Sequence, residues 1–164
     1  MGRAHERIEH LVLLLEARGC KIIVPTPALS ELLVLAGEAG PEYLAELNSS
    51  ACFKICDFDQ RAAIEVAAAI RAAIQEGDKK AGATAPWAKV KFDRQIVAIA
   101  RVEGADVIYS DDEDMVRYAS RVNISVVRVA DLPMPPPEQM DLLPAGTAGD
   151  NARTENEQPE KTSA

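Results

Sequence analysis

Apolar positions along the chain switch between two rhythms. In residues 5–18, Ile8, Leu11, Val12 and Leu15 recur at helical spacing and Gly19 follows as a stop, so this stretch is predicted to be a helix. Residues 21–24 are instead a short, largely β-branched run, the signature of a buried strand. Thr26 then precedes Pro27, a cap and first-turn pair, and Leu29, Leu32, Leu33 and Leu35 carry a helix to about Gly37. A second short helix is predicted over 42–47, and residues 51–56 read as another buried strand. Asp57 or Asp59 is placed to cap the alanine-rich helix that runs to about Gln75. Beyond it, 77–87 is expected to be loop, 92–102 helix, 105–109 strand, 111–120 helix and 124–129 the last strand. Short apolar strands alternating with helices imply an α/β fold of three layers, α/β/α, with a central parallel sheet covered on both faces.

The pattern stops near residue 133. Pro135, Pro136 and Pro137 open a stretch rich in Pro, Glu, Gln, Asn and Thr with hardly an apolar residue after Leu143, so 1–132 is read as one domain and 133–164 as a disordered tail. A chain of 164 residues with 48% apolar types can bury one core and is short for two. The early apolar run around Leu11 is far shorter than the roughly 20 residues a membrane span needs, and acids, not a basic region, precede it. A cytoplasmic protein with no membrane partner is therefore expected. Cys20, Cys52 and Cys56 are an odd number without a CxxC pair, which argues for reduced, packing thiols.

The net charge of -8 runs against a nucleic-acid partner, because binding phosphates needs Lys and Arg. The charge is not evenly spread, however. From Met134 onward, six acids against Arg153 and Lys161 carry -4 of it, so any basic surface on the domain must be local. Lys79, Lys80, Lys89, Lys91 and Arg94 surround Trp87, and Lys91 and Arg94 are candidates for weak RNA contacts. A solvated loop with Trp87 docked on the core accounts for the same pattern.

In a parallel α/β sheet, functional groups gather beyond the carboxyl ends of the strands. That rule picks out Glu31, one helical turn after the first predicted strand, Asp93 at the start of a helix, and Asp112 after the strand ending at Tyr109. Carboxylates gathered at one edge repel, and the repulsion is relieved by a raised pKa or by a bound divalent cation. Oxygen-only ligands favour magnesium or manganese, and such an ion can activate water against a phosphodiester. Each acid also has an ordinary explanation: Glu31 as a solvated helix residue, Asp93 as a first-turn acid, and Ser110 with Glu113 as a capping box for the helix after Tyr109.

Three blocks, in order, resemble the PIN-domain family of metal-dependent ribonucleases. They are Val24-Pro25-Thr26-Pro27-Ala28-Leu29-Ser30-Glu31-Leu32-Leu33, Phe92-Asp93-Arg94-Gln95-Ile96-Val97-Ala98-Ile99-Ala100, and Asp106-Val107-Ile108-Tyr109-Ser110-Asp111-Asp112-Glu113-Asp114. The resemblance implies a PIN-like α/β/α fold and a VapC-like toxin of a bacterial toxin–antitoxin pair, cutting RNA with Mg2+ or Mn2+. It implies Glu31, Asp93 and Asp112 as catalytic metal ligands, Asp114 as an auxiliary ligand, and Ser110 as the hydroxyl that orients the cluster. A cognate antitoxin is the implied protein partner, and a homodimer is left open. Family members place a first strand, ending in a first acid, ahead of the helix at 5–18, and this sequence has neither. The expectation is that such a strand is encoded upstream of Met1. The alternative is a catalytically incompetent PIN-like module that binds RNA or protein; a receiver-like signalling domain is a weaker third, lacking the acidic pair and later lysine in order.

Overall fold

The computed structural model describes residues 3–136, so the expected tail from 137 onward lies outside the described residues. Helix α1 (Ala4–Ala17) half-buries Leu11, Val12 and Leu15 and gives way at Gly19, whose φ of 67° suits a residue without a Cβ. Strand β1 (Ile22–Pro25) leads straight into α2 (Thr26–Ala36), where Pro27 sits in the first turn, a place that needs no N–H donor. Helix α3 (Gly40–Ser49) and strand β2 (Phe53–Cys56) follow. Of the two acids expected to cap α4 (Gln60–Gln75), Asp59 does so: its carboxylate accepts the Ala62 N–H at 2.9 Å.

Helix α5 (Trp87–Val102) begins well before Phe92. Its extra turns follow from Trp87, Val90, Arg94 and Val97, which fall on one inward stripe; the interleaved Lys89 and Lys91 point outward and mask that stripe in the sequence. Strand β3 (Val107–Tyr109), helix α6 (Glu113–Ser120) and strand β4 (Ser125–Val127) complete the domain.

Helix α5 is the organising element because it serves two apolar clusters. Val90, Val97 and Ala100 pack with Met115, Tyr118, Ala119 and Ile124, while Ala98 and Ile99 pack with Cys56 and Ala62. Val90 and Ile99 are fully buried, each contributing roughly 2 kcal/mol of transfer free energy. Cys52 and Cys56 are buried free thiols and Cys20 is an exposed one.

Among the described residues all strand pairing is parallel, as the βαβ alternation requires, but it is divided. β1 pairs with β2, from Ile22 opposite Phe53 to Pro25 opposite Cys56, and β3 pairs with β4, from Val107 opposite Ser125 to Tyr109 opposite Val127. Among the described residues no ladder joins the two pairs. Between β1 and β3 lies an open cleft of about 780 Å³, walled by both strands and by Ile96, Ala100 and Met115. No described helix is long and apolar enough to cross a membrane.

Candidate functional site

The carboxyl ends of β1 and β3 open on the same end of this cleft, and each delivers an acid there. After β3 the chain turns through Ser110 and Asp111 to Asp112, which is the N-cap of α6. Its Oδ1 accepts the Asp114 N–H at 2.8 Å, and its own N–H donates to Ser110 Oγ at 3.2 Å. Asp112, not Ser110, thus caps the helix. Glu113, expected to close a capping box, is exposed and meets Arg128 at 3.5 Å. The helix starts at Glu113, so the box is out of register with its first turn. Asp111 turns away, with Oδ1 accepting the Val129 N–H at 2.9 Å.

Asp93 comes from the second turn of α5 and is only 6% exposed. What joins it to Asp112 is Lys89, one turn earlier on the same helix: its Nζ donates to Asp93 Oδ2 at 2.9 Å and to Asp112 Oδ2 at 2.5 Å. Burial works to lower the Lys89 ammonium, but the hydrogen bonds to Asp112 and Asp93 outweigh it and hold it above an ordinary lysine. The two acids diverge. Desolvation pushes Asp93 above the usual carboxylate range despite the pull of Lys89, and the like charges of Asp112 and Asp114 push the same way. Asp112, less enclosed, is held below that range by the Lys89 hydrogen bond and by the Asp114 N–H.

Glu31, exposed on α2, lines the same cleft as Asp93 and Asp112. Asp114 is turned toward Arg117, whose Nη1 donates to its Oδ1 at 2.6 Å. Among the described residues no three acidic, His or Cys side chains converge closely enough to hold an ion together. The chemistry of the pair still suits one. Two carboxylate oxygens already converge on one positive charge, and a donor set of hard oxygens matches magnesium or manganese.

Of the two basic residues singled out for RNA, Lys91 is exposed and Arg94 is buried, at 5% exposure. Arg94 Nη2 donates to the Lys79 carbonyl at 2.8 Å, and its guanidinium lies 5.3 Å from the Tyr118 ring centre and 6.0 Å from that of Trp87. It braces the 77–86 loop from inside, because its stripe on α5 faces the core. Trp87 packs, partly buried, against the core, with Lys79 Nζ 5.0 Å from its ring centre, which is the docked arrangement. Lys89, grouped in the sequence with the basic residues around Trp87, instead joins the two acids, a role that sequence reasoning missed. An i,i+4 Lys-to-Asp spacing signals it only once α5 is known to begin at Trp87.

An α/β chain of this order, with parallel strands and acids at their carboxyl ends, has a PIN-like fold. Its architecture is similar to that of a chain in the crystal structure of DNA-bound VapBC from Salmonella typhimurium, with a TM-score of 0.51 over 77% of this chain and 89% of that one, at 18% identity. No protein-family model matches the sequence, and no curated protein matches it.

Proposed function

We propose that this chain is a divalent-metal-dependent endoribonuclease of the PIN type, the toxin of a toxin–antitoxin pair. The observation that carries the reading is the convergence of Asp93 and Asp112, from separate elements, on a single positive charge at the carboxyl ends of the strands. The fold likeness to a chain of a VapBC complex supports it, as do the three ordered motifs.

Asp93 and Asp112 would hold a Mg2+ or Mn2+ ion, with Glu31 on the cleft wall and Asp114 behind. When bound, the ion supplies water activation and neutralises charge at the phosphorus. The chain's own residues do the rest. The Asp114 N–H and Ser110 Oγ fix the Asp112 carboxylate and its backbone, so that one oxygen faces the cleft. Burial of Asp93 raises the free energy of its charged form and so favours any cation that neutralises it. Lys89 neutralises the pair when no ion is bound and must withdraw when one is. Lys91 is exposed on α5, where it can meet an RNA backbone. An antitoxin partner fits the apolar surface of α1 and α2, where Leu13 and Val34 are exposed and Leu35 is 86% exposed.

The test is manganese-dependent cleavage of a structured RNA by the purified chain and by Asp93→Asn, with circular dichroism to confirm that both fold. The expected result is cleavage by the parent and a loss of at least about 100-fold in the variant, the scale of removing an electrostatic stabiliser from a transition state. Cleavage unaffected by Asp93→Asn refutes the assignment. No cleavage by either, with antitoxin or RNA binding intact, favours the non-catalytic module.

A further inference from the structure

Helix α5 presents a second lining face, away from the cleft. Asp93, Ile96 and Ala100 line the cleft, whereas Arg94, Val97 and Arg101, each one residue and about 100° further round the helix, line a separate cavity of about 390 Å³. Its opposite wall is one face of α4, where Val66, Ala69 and Ala72 lie at helical spacing. The space stays open because alanines on α4 meet Ala98 on α5, with too little side chain to fill it. Two ion pairs bound the cavity: Arg101 with Glu65 at 3.1 Å, from α5 to α4, and Arg121 with Glu76 at 2.8 Å, at the ends of α6 and α4.

Arg94 lines the same cavity without such a partner. It is buried, and its Nη1 has no hydrogen-bond partner among the described residues. Asp78, the acid whose charge it feels, is occupied by the Lys80 and Gly82 N–H groups. Burial and the like charge of Arg121 both work against the Arg94 cation. A buried charge is costly unless something pairs with it. Three arginines and two glutamates line the cavity, which leaves one positive charge in excess.

We propose that this cavity binds a small monocarboxylic acid, its carboxylate received by Arg94 and Arg121 and its apolar body lying along Ala69, Val97 and Ala98. The head is a carboxylate because a guanidinium donates to one with matched geometry, and one excess charge balances a monoanion but not a phosphate dianion. Glu65 and Glu76 at the edges repel a polyanion, which sets the cavity apart from a groove for an RNA backbone. The body is apolar because the wall between the two ion pairs is alanine and valine. It is short because the volume stands near the lower end of the roughly 300–1,000 Å³ usual for small-molecule sites. The anion relieves the repulsion between Arg94 and Arg121 and supplies the partner that the fold withholds from Arg94.

The probe is octanoate, titrated calorimetrically into the full chain below its micelle-forming concentration. Octanamide, which has the body without the charge, and inorganic phosphate, which has charge without the body, are the comparisons. Ala69→Leu fills the cavity from an exposed position on α4, and Arg121→Gln removes an exposed charge, so both variants leave the buried core intact. Expected is saturable, one-to-one binding of octanoate, with octanamide, phosphate, Ala69→Leu and Arg94→Gln each weaker by at least about tenfold, the scale of losing a hydrogen bond to a charged group. Arg121→Gln should weaken it by about threefold, since Arg94 remains. Should Arg94→Gln fail to fold by circular dichroism, Ala69→Leu and octanamide decide alone. Absence of saturable binding, octanamide or phosphate binding as tightly as octanoate, or an affinity unchanged in Ala69→Leu overturns the proposal. Neither metal nor RNA is in the mixture, so the outcome is independent of the nuclease reading.

Discussion

Replacing Lys89 by Met keeps most of the aliphatic stem and removes the charge that Asp93 and Asp112 share. In the parent, Nζ lies 2.9 Å from one carboxylate and 2.5 Å from the other, with Lys89 itself 42% exposed and Asp93 almost enclosed. The setting is intermediate between a surface pair, which contributes about 0.5 kcal/mol, and a fully buried one, whose breakage costs about 4 kcal/mol, so a loss of roughly 2 kcal/mol is expected at pH 7. For a domain of this size that corresponds to about 6 °C in Tm. Asp93 sits above its ordinary carboxylate value in the folded chain, so its charging opposes folding, and without Lys89 it opposes folding more strongly. The gap between variant and parent should therefore be small below the ordinary Asp range, where Asp93 is protonated, and widen as pH rises through its folded value. Asp112, held low in the parent, contributes in the same direction, because its stabilisation is present above the unfolded value and lost on acidification.

Manganese should narrow the gap without closing it. An ion no longer competes with the ammonium, so Lys89→Met is expected to bind Mn2+ about tenfold more tightly, a difference of about 1.4 kcal/mol. At 100 times the variant's Kd the ion adds about 2.7 kcal/mol to the variant and about 1.4 kcal/mol to the parent, so the variant regains the Tm of the ion-free parent and the gap at equal Mn2+ falls to about 0.7 kcal/mol. Differential scanning fluorimetry from pH 4 to 8, with and without Mn2+, and calorimetric titration of the ion measure both effects. A variant as stable as the parent at pH 7, or one whose manganese affinity is unchanged or weaker, would show that Lys89 and the ion do not compete for the same oxygens.

Three simpler perturbations test the fold and the cluster's support. Ile99→Ala opens a cavity in a fully buried position and should cost about 3 kcal/mol by urea denaturation, with an unchanged m-value. Asp59→Ala removes the N-cap of α4 and should cost about 1 kcal/mol, whereas Asp57→Ala should be near neutral because α4 is capped by Asp59 alone. Ser110→Ala removes the acceptor of the Asp112 N–H and should lower Mn2+ affinity several-fold while shifting Tm by no more than about 3 °C, read in the same titrations.

Much of the architecture was legible because it is local. The helical stripe of α1, the Thr26-Pro27 start of α2, the glycine stop at Gly19 and the order of short apolar strands all follow from properties of neighbouring residues, and each element stands within a few positions of its predicted place. The front of α5 was not legible, since Lys89 and Lys91 break up the apolar run and the inward stripe through Trp87, Val90 and Arg94 has meaning only against a core. Arg94 shows the same limit from the other side. In sequence it belongs to a basic group beside a tryptophan; in space the helix rotates it inward onto Lys79 and Tyr118.

By itself the sequence determined the alternation of elements, their parallel sense, the positions of Glu31 and Asp112 soon after strands and that of Asp93 on a helix, because hydrophobic period, capping chemistry and turn residues act over a few residues. Tertiary structure alone decided which strands pair, that the sheet is divided by a cleft, and that Lys89 holds Asp93 against Asp112 across 23 residues of chain. Those are contacts between distant segments, and their free energies depend on burial and on distances that no local pattern encodes.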